Sequence, residues 1–273
     1  MNPELPCYRE VRPGPRLAPY VQCYWTITAS ATPSFFNRVC PDGCADIIVD
    51  LAAKPPNCGY VDGRSTYAVG TMQYASRVEM RGKVHLLGVR FRPGGAERFL
   101  QLPMYELTDR TVPLGEVWGG ADALERAVRD AHSDADRIHR LEAMLLYRLR
   151  RSEEPAPTLQ RAVRYIGQTG GTRSISEVEE AVGVGGRRLE RHFREALGVT
   201  PRLFSRVVRF RRTLALMHRD QRPSWSRLAV EAGYYDQAHL IREVRVLSGA
   251  TPAELAAETR AVGFVQYEFD VPQ

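Results

Sequence analysis

The densest chemistry in this chain lies between Arg187 and Arg212, where nine arginines stand against two carboxylates, Glu190 and Glu195. The guanidinium group is planar, forked and permanently charged, which suits phosphate oxygens and the O6/N7 edge of guanine. On a helix advancing by about 100° per residue from Leu189, Arg187, Arg191 and Arg194 fall at roughly 160°, 200° and 140°. Phe193, Ala196 and Leu197 gather around Leu189 on the opposite side. A merely solvated helix face mixes charge signs for i,i+4 pairing, whereas this one is mostly of one sign and suits a polyanion. Every basic residue after Lys83 is arginine. A GC-rich genome would explain that preference, but not the clustering.

The other reactive side chains read less clearly. Five cysteines, Cys7, Cys23, Cys40, Cys44 and Cys58, all lie in the first quarter of the chain. An odd count without a secretory signal argues against a disulfide framework. Cys40 and Cys44 could act, with His85, as a thiol or metal sensor; the alternative is small buried hydrophobes. There is no nucleophile elbow, phosphate-binding glycine loop or metalloprotease helix, so neither an enzyme, a cofactor nor a metal is expected.

With 273 residues, 44% hydrophobic and 26% charged, the chain has the balance of a globular protein of about two domains. No apolar run is long enough for a bilayer, and MNPELPCYREVRPGPR has no apolar signal core. A cytoplasmic protein with no membrane partner is expected.

Stepping along the elements, residues 20–92 read as short strands: Tyr20–Thr28, Phe35–Cys40, Ala45–Leu51, Thr66–Gly70, Arg77–Met80 and Lys83–Phe91, punctuated by turns such as Pro41-Asp42-Gly43 and Arg81-Gly82. That spacing predicts a barrel or sandwich. Helices are predicted at Gly95–Leu102, Ala121–Ala131 and Ala135–Arg151. The stripe Ile138, Leu141, Leu145 and Leu149 in the last reads as a dimer seam slightly ahead of core packing. Ser152–Pro157 is charged and Pro-rich, a domain boundary. Beyond it the chain reads helical to Ala257, and Val265, Tyr267, Phe269 and Val271 then alternate as a strand. The expected class is α+β: a β-rich sensory and dimerisation domain with trailing helices over 1–152, an all-α domain over 158–260, and a strand-like tail over 261–273.

The helical part repeats itself. Leu189, Arg191, Arg194, Gly198, Thr200 and Pro201 recur 51 residues later as Leu240, Arg242, Arg245, Gly249, Thr251 and Pro252. Each unit is a helix (Ser174–Val182; Ser224–Ala232), a glycine turn and a second helix (Gly186–Leu197; Asp236–Ser248), the helix-turn-helix arrangement. Gly-x-Thr-Pro then stops one helix and starts the next. In the second unit Leu240, Val244 and Leu247 fall inward; Ala238, Arg242 and Arg245 fall outward, with Ile241 flanking. Between the units Pro201–His218 reads as one helix of about 27 Å, long enough to hold two recognition helices roughly one DNA turn apart.

Residues 158–257 thereby resemble the C-terminal DNA-binding domain of the AraC/XylS family of bacterial transcription regulators, through Gly198-Val-Thr-Pro and Gly233-Tyr-Tyr-Asp-Gln-Ala-His-Leu-Ile-Arg-Glu. Arg38-Val-Cys-Pro-Asp-Gly-Cys-Ala-Asp and Gly88-Val-Arg-Phe-Arg-Pro-Gly-Gly-Ala resemble a largely uncharacterised sensory domain attached to some members. The resemblance implies base contacts from Arg187, Glu190 and Arg191 in the first unit and from Gln237, Ala238, His239, Ile241 and Arg242 in the second. Arg188, Arg194 and Arg245 are the candidate phosphate contacts. For Glu190 a salt bridge to Arg187 or Arg194 is an equal alternative; for His239 the alternatives are a phosphate contact or packing. Two positions depart from the family: Glu179 replaces the small Ala expected where the first unit's helices cross, and Gly185 replaces the capping Ser.

The implied partners are double-stranded operator or promoter DNA, a small effector, RNA polymerase if the protein is an activator, and a second copy as a homodimer. Tyr24, Trp25, Phe36, Cys40 and Cys44 are candidate lining for an effector pocket, or else ordinary core. Arg90 and Arg92 read as solvated arginines at a strand end ahead of an anion site. Two rivals remain: a regulator sensing alkylation, oxidation or metal through Cys40 and Cys44, and an architectural DNA binder without sequence preference.

Overall fold

The computed structural model describes residues 6–52, 65–152, 154, 156–219 and 224–262. Six strands form one antiparallel sheet in the order β1-β2-β5-β3-β4-β6: β1 Cys7–Val11, β2 Val21–Val39, β3 Asp46–Asp50, β4 Thr66–Val69, β5 Ser76–Phe91 and β6 Thr111–Pro113. Three helices accompany the strands in this half: α1 Glu97–Leu100, before β6, and α2 Ala121–Arg129 and α3 Asp134–Leu149, after it. Seven more complete the described chain: α4 Pro157–Gln168, α5 Ile175–Val182, α6 Gly186–Leu197, α7 Pro201–Arg219, α8 Trp225–Ala232, α9 Gln237–Ser248 and α10 Pro252–Val262. The α+β class is as expected, and the boundaries of α6 coincide with the predicted ones.

Four expectations need correction. The segments Tyr20–Thr28 and Phe35–Cys40 belong to one strand, β2, and Arg77–Met80 and Lys83–Phe91 to one strand, β5. The Arg81-Gly82 signal does not end a strand. Gly82 takes φ +68° opposite Thr32, where the register of β2 shifts, so an irregular step absorbs the glycine and the hairpin continues. The short edge strands β1 and β6 went unread because neither has an apolar alternation. The stripe on α3 is core rather than a dimer seam: Leu141 and Leu145 are fully buried beside Tyr24, Leu87, Val89 and Leu124 of the same chain. Of the predicted tail, residues 263–273 lie outside the described residues, and 261–262 end α10.

Alternation along the strands gives the sheet two apolar faces. Tyr24, Ile47, Val49, Leu87, Val89 and Phe91 pack beneath α2 and α3, while Trp25, Ile27, Ile48, Val84 and Leu86 pack on the other side. In the helical half α7 is the spine. Phe204 and Val208 belong to the core of the first unit, with Val178, Leu189 and Phe193; Val207, Phe210 and Leu214 belong to the second, with Leu228, Leu240 and Val244.

Candidate nucleic-acid interface

Local sequence places the recognition helices. Ser174 and Glu177 form a complete capping box at the start of α5, and Gly183 at φ +68° ends it and turns the chain toward α6. In α6 Leu189, Phe193, Ala196 and Leu197 are buried; Arg187, Arg188, Glu190, Arg191 and Arg194 are exposed. Gly185 caps α6 without a side-chain hydrogen bond, as its identity requires. Glu179, the other departure, is accommodated by its neighbour. A Cβ at Gly186 would stand 2.7 Å from Glu179 Oε1, so the carboxylate rests over the bare Cα. Among the described residues Glu190 makes no ion pair with Arg187 or Arg194. Burial, then the charges of Arg188 and Arg191, lowers the pKa of His192 on the flank of the helix.

In the second unit the recognition helix does have a side-chain cap. Asp236 caps α9 by accepting from the His239 N–H at 2.6 Å. Leu240, Val244 and Leu247 are fully buried, Gln237, Ala238, Arg242 and Arg245 are exposed, and Ile241 is half-buried. The His239 ring stands edge-on to Tyr234 at 5.3 Å, and its Nδ1 accepts from the Tyr235 N–H. That bond leaves the ring proton on Nε2. His239 thus makes packing contacts within its own turn through one edge of the ring. Glu243 accepts two hydrogen bonds from Arg206, at 2.7 and 3.1 Å, and ties α9 to α7.

Two tyrosines near these faces were not anticipated. Tyr235, 90% exposed, immediately precedes α9 and was legible only as part of a family motif. Tyr105 lies in the 3₁₀ turn Met104–Glu106, eighty residues upstream, and lines an open recess of about 350 Å³ with Arg187, Glu190, Arg191 and Arg194. No local sequence signal links it to α6.

The proposed effector lining does not converge. Tyr24 and Trp25 are neighbours on β2 and so point to opposite faces, into different cores. Phe36 is 54% exposed beneath Arg77, Cys40 packs toward the second helical unit, and Cys44 is buried, its Sγ 3.5 Å from Gln22 Oε1. Burial pushes the Cys40 thiol up to about 12 and Cys44 well above its usual range, the opposite of an activated thiolate. His85 pairs with Asp134 at 3.0 Å. No group of three metal-ligating side chains occurs among the described residues, and Cys58 lies outside them.

Arg90 is also corrected. It is buried, with Nε 3.5 Å from both Asp42 and Asp46, while Trp25 Nε1 donates to Asp46 at 2.7 Å. The strand end is covered, so this arginine neutralises interior carboxylates. Arg92 donates to the Ala18 carbonyl at 2.8 Å. A larger cavity, about 600 Å³, opens at the seam of the two halves. Gln101 and Leu102 line it from one side, Arg151 and Ser152 from the linker, and His192 and Glu195 from α6.

Known proteins resemble the chain in two segments. Residues 178–258 match a family described as a helix-turn-helix domain, and residues 9–113 match a domain of unknown function. No curated protein matches. Among solved structures, ToxT from Vibrio cholerae is similar at 8% identity with a TM-score of 0.43, covering 86% of this chain and 97% of that one. A form of wild-type ToxT bound to an unsaturated fatty acid is similar at 11% identity with a TM-score of 0.42, covering 85% and 93%. The C-terminal fold is that of a helix-turn-helix DNA-binding domain duplicated along one chain. Residues 178–258 thus belong to a helix-turn-helix domain family. No helix among the described residues is long and apolar enough to cross a membrane.

Proposed function

We propose that this protein is a sequence-specific regulator of transcription in which α6 and α9 enter successive major grooves on one face of a duplex. The observation that carries the reading is the pair of exposed outward faces joined through α7, a helix of 19 residues and about 28 Å. Arg187, Glu190 and Arg191 are the base-reading candidates in the first unit. Gln237, Ala238, His239, Ile241 and Arg242 are those of the second. Arg can take guanine O6/N7 and Gln can take adenine N6/N7, while Arg188, Arg194 and Arg245 serve the phosphates. The half before residue 153 acts as the sensory region. An effector in the seam cavity would touch the linker and the flank of α6 together, and so could favour one arrangement of the recognition helix.

The test is fluorescence anisotropy of the full-length protein on its own upstream intergenic DNA and on a scrambled duplex, across a salt series. Tight binding to the first duplex alone is expected. Arg242→Ala should lose about 1–3 kcal/mol of that preference. Equal affinity for both duplexes with a steep salt slope would mean phosphate contacts alone, and an architectural role. A candidate effector must shift the affinity in the same titration for the sensory reading to stand.

A further inference from the structure

The 3₁₀ turn Met104–Glu106 belongs to the sheet-bearing half, yet it is built onto the first recognition helix. Thr108 Oγ1 donates to the Gly198 carbonyl at 2.7 Å, directly after the last residue of α6. Gly198 takes φ +78°, and a Cβ there would stand 2.7 Å from the Met104 carbonyl oxygen and 2.5 Å from Thr108 Oγ1. Only glycine meets both demands, the left-handed cap and the close approach. The far side of the turn is equally fixed. The Asp109 N–H donates to the Thr71 carbonyl at 3.1 Å, and the Gln73 N–H and Nε2 donate to the Asp109 carboxylate at 2.7 and 2.8 Å. Met104 is buried, while Tyr105 is 47% exposed and faces the recess beside three arginines, Arg187, Arg191 and Arg194, and two carboxylates, Glu190 and Glu195.

Two geometric facts decide what a residue in that place does. The turn docks at the C-terminal end of α6, and the charged outward residues of α6 stay exposed beside it. Base edges are read by the N-terminal residues of a recognition helix, so the rim at its other end meets the sugar–phosphate wall of the groove. A tyrosine hydroxyl is a neutral phosphate donor. We infer that Tyr105 is a DNA-backbone contact supplied by the N-terminal half, and that Tyr105 and Arg194, on the same recess, together hold a phosphodiester flanking the first half-site. The inference rests on the DNA-binding function proposed above. It makes the first recognition surface a joint product of both halves of the chain.

The test is the same anisotropy series with the full-length protein carrying Tyr105→Ala or Y105K. Tyr105→Ala is expected to weaken binding to both duplexes five- to tenfold, leaving their ratio unchanged. A lysine in the same place should restore affinity and steepen the logarithmic salt slope by about 0.9, the signature of one added phosphate contact. Tyr147→Ala, which removes an exposed ring on α3 beneath Arg151, should bind as the wild type does. Unchanged or tighter binding by Tyr105→Ala overturns the inference, as does a lysine variant with an unaltered slope or an equal loss in Tyr147→Ala. Wild-type protein that binds neither duplex overturns the DNA-binding function itself.

Discussion

Arg90 shows how much a single side chain can hold in place. Buried beside Asp42 and Asp46, it offsets two carboxylates that are largely shielded from water. Removing one partner of such a cluster strands the others, so Arg90→Met is expected to cost about 3–5 kcal/mol, read from urea melts. Asp46 adds a pH dependence. Burial raises its pKa from the usual 3.8 to about 6 against the pull of Arg90. For an acid whose folded pKa lies above its unfolded one, the stabilising contribution is complete below pH 3.8 and is lost as pH rises through 6. Asp46→Asn, which keeps the acceptor for Trp25, should flatten the stability profile across that window. The same profile with an undiminished slope would assign the effect to another group. None of this was readable in the sequence. Arg90 ends an apolar strand and looked solvated, because which loop folds over it depends on contacts made 48 residues upstream.

At the scale of elements the first helix-turn-helix unit is uneven in its local design. Its leading helix has the full Ser174–Glu177 box, whereas α6 starts on Gly185 with extended backbone, φ −68° and ψ 155°, and no side-chain acceptor. That backbone already suits an N-cap serine. Gly185→Ser should therefore raise the melting free energy by a few tenths of a kcal/mol, and Ser174→Ala should lower it by about 1 kcal/mol. A loss on Gly185→Ser would mean that the serine hydroxyl does not reach the free N–H groups at the start of α6. These helices were legible because their evidence is local: a 3.6-residue apolar period, glycine stops and a 51-residue repeat. The strands were legible as strands but not as two long partners, since a bulge and a turn share the same glycine signal. The recognition faces were visible from helical phase alone. Tyr105 and the seam cavity were not, because each is made by segments far apart in the chain.

For the whole molecule, the decisive question is whether the two recognition helices form one ruler. α7 contributes to both helical cores, and the N-terminal half grips each unit separately. Thr108 holds the end of α6, while Arg38 donates to both oxygens of Glu258, at 2.7 and 2.8 Å, and to the Ser248 carbonyl at the end of α9. The Ala75 N–H adds a backbone bond to the Leu247 carbonyl at 2.8 Å. A spacing fixed at three places leaves little freedom for half-sites out of register. Inserting about 5 bp between half-sites rotates one groove to the far face of the duplex and should reduce binding to that of a single unit. Inserting about 10 bp restores the face but adds roughly 34 Å, which a helix of about 28 Å does not span, so affinity should not return. Two flexibly linked units would recover with the longer insertion. Recovery in the wild type would show that the halves separate on DNA, and Arg38→Ala should then bind the 10-bp variant at least as tightly.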